Sequence, residues 1–280
     1  MIKLLIDSAS DINQEEADKL GVTLLPIEVR FGEEEYLDGV NLLPSQFYQK
    51  LQTCKELPKT SQINPFRYEE EFEKATKDGD EAIVITLSSK LSGTYLSACQ
   101  ASEKFNGKVY VVDSLNACTG QKLLGFYALE LIKKGFKAQE IVDELNKAKM
   151  KVRALAVIDT LKYLKMGGRI SALTAVVGGA LSVKPLIAVI DGEVKTIGKG
   201  IGTKKAYKML MEKITENQID FQKPYGFIWS GLTEDGIDMF IEENASELNI
   251  PKDKAQKYVI GSTIGTHVGP GAVGIAFFDK

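Results

Sequence analysis

The first half of the chain repeats a single pattern: a short apolar run, a cluster of Ser, Asn, Asp or Gly, then an amphipathic stretch that stops at glycine. Residues 2–6, 82–87 and 109–112 are apolar without alternation and too short for helices, the mark of strands covered on both faces. Between them the helix signals are explicit. Asp11 suits an N-cap, with Gln14 three residues on and Gly21 as the stop. Asn64-Pro65 supplies cap and first turn for a helix over 66–76, and a long helix runs from about 121 to Gly135. Residues 22–31 read as extended, with Pro26 marking an edge or bulge. Strands joined through helices need crossover connections, so the pattern predicts a largely parallel sheet with flanking helices.

From about residue 155 the texture changes. Segments 186–190 and 194–197 flank Asp191-Gly192, a two-residue type I′ hairpin signal. Further strands are expected near 227–229, 258–260 and 273–278, with helices near 204–217 and 235–247. The expected fold class is α/β: an N-terminal α/β domain (1–154) with the parallel sheet, then a C-terminal α+β domain (155–280) with antiparallel strands. No linker or low-complexity tract parts them, so close packing is expected.

Composition matters mainly for what it excludes. A net charge of −3, a pI near 5.5 and no basic stripe argue against a nucleic-acid partner. Cys54, Cys99 and Cys118, odd in number and widely spaced, form no disulfide framework and fit a reducing cytosol. Met1 leads at once into a short apolar run and Asp7, too short and too soon acidic for a secretory leader, so a cytoplasmic location is expected. Residues 172–190 are apolar enough to raise the question of a membrane span. Lys184-Pro185 breaks that stretch and Gly178-Gly179 loosens it, so a buried segment is expected instead.

Three polar loops carry the candidate chemistry: Lys59-Thr60-Ser61-Gln62, Ser88-Ser89-Lys90-Leu91-Ser92-Gly93-Thr94, and Ile264-Gly265-Thr266-His267-Val268-Gly269-Pro270-Gly271. Loops leaving the carboxyl ends of α/β strands line the ligand crevice, and helix N-termini there suit an anion. Hydroxyls of Thr60, Ser61 and Ser92 add donors without charge; read alone, each loop is better taken as a cap or a turn, and the three together point to a site. No P-loop, G-x-S-x-G elbow, H-E-x-x-H or Cys-rich metal spacing appears. Gly269-Pro270-Gly271-Ala272-Val273-Gly274 matches G-x-G-x-x-G, but it leads into a strand at the chain end and no βαβ unit follows. His267 is the sole histidine, incidental or a binding group set among glycines. A Ser–His nucleophile with Ser61 or Ser92 is conceivable and has no direct support. Residues 161–171 read as a short helix ended by Gly167-Gly168; Arg169 then either caps helix carbonyls or contacts a carboxylate or phosphate.

Taken in order, Asp7-Ser8-Ala9-Ser10-Asp11, Thr60-Ser61-Gln62, Leu91-Ser92-Gly93-Thr94-Tyr95, Gly167-Gly168-Arg169-Ile170-Ser171 and Gly265-Thr266-His267-Val268-Gly269-Pro270-Gly271 resemble the DegV family, the fatty-acid-binding subunits of bacterial fatty acid kinase. Ile63-Asn64 departs from the Pro-Ser pair common there and leaves the hydroxyl donors intact. The resemblance implies a lipid-binding protein, not itself an enzyme, with no catalytic residue, metal or cofactor of its own. A long-chain fatty acid would be its ligand, and it would present the carboxyl group to a kinase catalytic subunit that carries ATP and metal. By motif, Thr60 and Ser92 would bond the carboxylate, with Ser61, Gly93 and His267 nearby and Arg169 facing the partner. The acyl chain would run in a tunnel of the second domain, walled by the 172–190 stretch (Val176, Val177, Leu181 and Ile187), for which plain core is the competing reading.

The energetics agree. Burying a sixteen-carbon chain at roughly 0.8 kcal/mol per CH₂ gives on the order of 12 kcal/mol before association costs. The tail therefore supplies affinity, while hydroxyls spare the carboxylate a desolvation penalty of several kcal/mol. Two competitors remain at this level: a serine/histidine hydrolase or transferase acting on acyl esters, and a lipid-free regulatory module.

Overall fold

A computed structural model describes residues 1–170, 182–250 and 255–280. The strands of the first half are β1 (Ile2–Asp7), β2 (Thr23–Leu25), β3 (Glu28–Phe31), β4 (Glu34–Leu37), β5 (Lys59–Ser61), β6 (Glu81–Thr86) and β7 (Val109–Asp113). Between and after them lie α1 (Gln14–Leu20), α2 (Pro44–Thr53), α3 (Pro65–Thr76), α4 (Thr94–Ser102), α5 (Cys118–Lys133) and α6 (Ala138–Ala148). Strands β2-β1-β6-β7 form a four-stranded sheet, parallel throughout, as the crossover pattern requires. Pro26 interrupts the extended stretch between β2 and β3, and the chain there leaves that sheet for a small antiparallel one, β4-β3-β5. That small sheet was not foreseen, and it carries Thr60 and Ser61.

The second half adds β8 (Val152–Val157), α7 (Lys162–Met166), β9 (Val183–Ile190), β10 (Glu193–Ile201), α8 (Thr203–Asn217), β11 (Tyr225–Trp229), α9 (Asp235–Asn244), β12 (Lys257–Val259), α10 (Ser262–Val268) and β13 (Val273–Phe278). Its six-stranded sheet runs β10-β9-β8-β13-β11-β12, antiparallel except for the parallel β11–β12 edge. The expected division at 154/155 falls inside β8, all of whose partners belong to this second sheet. Asp191 and Gly192 both hold positive φ (53° and 83°), the geometry of the type I′ turn that their sequence signals.

α5 lies between the two sheets and packs on strands of both, with residues buried around nearly its whole circumference. The largest apolar cluster joins Leu4 and Ile6 of the first sheet, Leu123 and Leu124 of α5, and Ala276 and Phe278 of the second. The two halves therefore share a core. At about 25 cal/mol per Å² of apolar surface, such a shared core is a strong tie between them.

Among the described residues no helix is long and apolar enough to cross a membrane, and residues 183–190 of the questioned stretch are strand β9. The cysteines are free thiols.

Candidate functional site

The site forms where loops from both halves meet, and each is positioned differently. On the N-terminal side, β5 pairs with β3 so that Thr60 lies opposite Val29 and Ser61 opposite Glu28. Successive strand residues face opposite ways. Thr60 turns inward, while the Ser61 hydroxyl turns out to Glu28 Oε1 at 3.5 Å, so Ser61 only borders the cavity. The expected loop at 59–62 is thus a short strand.

Ser92 and Gly93 end the segment that follows β6. The Ser92 hydroxyl accepts the Thr94 N–H at 3.2 Å and bonds Thr94 Oγ1 at 2.9 Å, closing a turn just ahead of α4, whose N-cap is Gly93, while still lining the cavity. Turn former and site residue are alternatives in the sequence; here one hydroxyl is both. A Cβ on Gly93 would lie 2.0 Å from Gln62 Oε1, so glycine is needed for Gln62 to reach Ser97 Oγ (3.2 Å) and lock β5 against α4. Gln62 lines the cavity too, a role that its loop position alone did not signal.

On the C-terminal side, His267 sits in the last turn of α10, a helix where a loop was expected; glycines at 261, 265 and 269 masked its periodicity. Two carboxylates from the other half hold its start. Asp11 Oδ1 accepts the Gly261 N–H at 2.8 Å. Asp38 accepts the Ser262 N–H (3.0 Å), the Ser262 hydroxyl (2.5 Å) and the Thr263 N–H (3.2 Å). Acid groups at a helix start satisfy its free N–H groups and complement its dipole. The expected capping by Asp11 of α1 is corrected accordingly: Asn13 caps that helix through the Glu16 N–H, and Asp11, in a left-handed backbone conformation, reaches α10 instead. Burial pushes Asp11 up to about 8 and raises Asp38 as well, against the pull of these hydrogen bonds.

His267 Nε2 lies 3.0 Å from Thr60 Oγ1, joining the two halves across the cavity. Burial, aided by the nearby Arg169 charge, lowers its pKa to about 4, so the ring is neutral near pH 7. Nδ1 is buried with no partner among the described residues. A buried N–H left unpaired is costlier than a bare lone pair, which favours the proton on Nε2. The imidazole then donates to Thr60 Oγ1, leaving the threonine hydrogen for a ligand oxygen. Gly167, foreseen as a helix stop, has a second need for lacking a side chain: a Cβ there would lie 2.2 Å from His267 Nδ1.

Arg169 is exposed at the rim. Its Nε donates to the Leu91 carbonyl at 3.3 Å across the cleft and its Nη1 to the Gly167 carbonyl at 2.5 Å. Thr60, Ser61, Ser92, Gly93, Arg169 and His267 thus all border one inner cavity of about 260 Å³. Its remaining wall is mostly apolar and includes Ile27, Leu87, Leu164, Val194 and Val268. Val194 is brought there by the β9–β10 hairpin, whose Gly192 carbonyl accepts the Ser88 hydroxyl at 2.8 Å. Ile187, on β9, is buried in the shared core and is not among the inner cavity's lining residues. Val176, Val177 and Leu181 lie outside the described residues.

Beyond the Thr60–His267 pair, an outer cavity of about 740 Å³ shares Thr60, Arg169 and His267 with the inner one. It is lined otherwise by α7 and Gly167, by the stretch from Leu51 of α2 to Lys59 of β5, and by Thr266 of α10.

This geometry does not favour a serine nucleophile. The histidine pairs with Thr60, Ser92 bonds Thr94, and among the described residues no carboxylate orients Nδ1. No cluster of His, Cys, Asp and Glu among the described residues is arranged to hold a metal. The G-x-G-x-x-G string leads into β13, as its position required.

Known proteins resemble this chain over its whole length. The family described as "Uncharacterised protein, DegV family" matches residues 1–280. A DegV domain-containing protein of Caldanaerobacter subterraneus subsp. tengcongensis is 34% identical over 281 residues, covering 100% of this chain and 99% of that protein. A solved fatty-acid-binding DegV family protein from Thermus thermophilus is similar with a TM-score of 0.89 at 29% identity, covering 100% of this chain and 99% of that one. A stearic acid-binding protein from Eubacterium ventriosum gives a TM-score of 0.87 at 27% identity, with the same coverage.

Proposed function

The chain belongs to the DegV family, and from that premise and the inner cavity's geometry we propose that it encloses a long-chain fatty acid and presents the carboxyl group to a kinase subunit. The observation that carries this reading is the meeting of uncharged donors and apolar walls in one cavity: Thr60 and Ser92 beside Leu164, Val194 and Val268. Relatives that bind fatty acids share the fold.

The carboxylate would accept the Thr60 and Ser92 hydroxyls, with Ser61 and Gly93 closing the rim and neutral His267 holding the Thr60 oxygen from behind. Uncharged donors remove the desolvation penalty without the cost of burying a second ion. The acyl chain would extend into the second unit, with Val176, Val177, Leu181 and Ile187 as proposed tunnel wall. The division of labour is one of halves: residues 1–154 supply the head-group donors and 155–280 the tunnel. Arg169, exposed and fixed across the rim, would meet the partner's transferring phosphoryl group. ATP and metal would belong to that partner, in the cytoplasm.

Denaturing extraction of the purified protein followed by mass spectrometry tests the reading. One fatty acid per chain is expected. A consistently lipid-free sample that also refuses added palmitate and oleate overturns it.

A further inference from the structure

Helix α8 carries its charges in the order that serves a lone helix worst. Lys204, Lys208, Glu212 and Glu216, exposed and four residues apart, follow one ridge of it. Like charges are neighbours at each end of the ridge, and at its centre lysine precedes glutamate, the weaker of the two orientations. The signs also oppose the helix dipole. Lys204 and Lys205 stand in the first turn, which holds no acid, and Glu216 in the last, which holds no base. Among the described residues Glu216 pairs with Lys213 at 2.6 Å, while Lys204, Lys208 and Glu212 make no ion pair.

This surface stands apart from the lipid site. The inner side of α8 covers Leu155 and Val157 of β8, whereas Ala154 turns to the core shared with α5. Successive strand residues face opposite ways, so α8 lies on the outer face of the second sheet. None of the ridge residues lines the inner or the outer cavity. They border a separate open groove of about 1030 Å³, floored by Tyr207 and Met211, with Glu243 and Glu247 on its other wall. Exposed Ile201 lies beside the first turn of α8.

A ridge that runs plus, plus, minus, minus is its own complement when turned end for end. A second copy of the chain, related by a two-fold axis midway between Lys208 and Glu212, sets Lys204 against the other copy's Glu216 and Lys208 against its Glu212. Two such ridges lie parallel when the helices cross at about −50°, a common packing class. Each basic N-terminal end then sits beside an acidic C-terminal end, and the two dipoles run antiparallel. Lys205 is left for the Glu243 and Glu247 wall of the groove.

We infer that α8 is the contact of a homodimer, two copies packed antiparallel and held mainly by charge. The charge order that costs the lone helix is satisfied across the two-fold axis. Little apolar surface is exposed there, so the association is of the weak, salt-sensitive kind.

Sedimentation equilibrium of the full chain tests this with two double variants, Lys204→Glu/Lys208→Glu and Glu212→Lys/Glu216→Lys. Each gives the ridge a single sign, and with every pair occurring twice by symmetry each should weaken self-association roughly a hundredfold. An equimolar mixture of the two should recover the dimer, because an all-acidic ridge then meets an all-basic one. The four changes combined invert the order. That chain should dimerise again and melt a few degrees above the native one, its dipole and pair orientation now favourable. A native chain that stays monomeric up to about 1 mM overturns the dimer and leaves the ridge to a different protein of matching charge order. A dimer that survives both double variants overturns it too, since the contact then lies elsewhere. So does a mixture that fails to reassociate, or an inverted chain that stays monomeric.

Discussion

The two walls of the inner cavity hold their polar groups by different means. On the N-terminal wall, Thr60 is placed by a strand ladder and Ser92 by its turn bond to the Thr94 N–H, so both hydroxyls are set by neighbouring backbone. On the C-terminal wall, His267 is placed at long range: Asp11 and Asp38, far away in sequence, grip the start of α10, and Gly167 leaves the ring its space. A local wall tolerates distant change, whereas a wall registered by remote carboxylates transmits it. The contrast makes Asp38, which lines neither cavity, the most exposed point of the design.

Asp38→Ala is accordingly expected to have the largest effect. It strands three buried donors on α10, which costs roughly 3 kcal/mol or more of stability, read by urea unfolding. Asp38→Asn, which keeps an acceptor oxygen, should recover part. Fatty acid affinity should fall along with stability; an unaltered affinity in a destabilised but folded Asp38→Ala protein would mean that the second wall is not registered this way.

Next in size are the local donors. Ser92→Ala or Thr60→Ala leaves a bound carboxylate one partner short, about 1–3 kcal/mol and hence roughly tenfold in affinity, and each should also lower stability to a lesser degree than Asp38→Ala, since Ser92 holds the Thr94 N–H and Thr60 the His267 ring. Unchanged affinity in both variants would move the head group elsewhere. Arg169→Ala should matter less to the lipid, within about threefold since the side chain is exposed, yet abolish most acyl-phosphate formation with the proposed kinase subunit and ATP. Arg169→Lys should restore only part, since it lacks the planar fork. Loss of lipid binding with normal turnover of the remainder would instead put Arg169 in the carboxylate pocket.

The smallest effect at neutral pH is the titration of His267. Its pKa drops from 6.5 to about 4 on folding, so the unfolded chain takes the proton first. Its contribution is fully present above about 6.5 and is lost as pH falls toward 4. Asp7 and Asp11, raised to about 7 and 8 chiefly by burial, run the other way, with stability present below 3.8 and lost as pH rises through those values. Subtracting the unfolding free energy of His267→Gln from that of the native chain cancels the acids. The difference should shrink between pH 7 and pH 4.5, and a flat difference would place His267 in water.

What could be read from the residues alone follows the range of the forces involved. The alternation of apolar runs and helix signals that implies a parallel sheet, the Asn64 cap and the Asp191-Gly192 turn are all written in sequence neighbours and were legible. Thr60, Ser61, Ser92, Gly93 and His267, now around one cavity with Arg169, were legible as loop residues, and the order of the motifs carried the family likeness. Asp38 gave no signal, because its partners are more than two hundred residues away. α10 was hidden by its glycines, of which Gly265 packs closely on Phe47 and Tyr48 and Gly269 ends the helix at positive φ, and the small β4-β3-β5 sheet by the brevity of its strands.

α5 carries a consequence for anyone wishing to dissect the molecule. Because it is covered by both sheets, a chain severed near residue 150 leaves the first fragment with a bare apolar helix face and the second with a sheet whose cover is gone. Neither piece should persist alone, yet the two mixed should reassemble, making this fold a candidate for split-reporter use, in which reconstitution can be followed through binding of a fluorescent fatty acid.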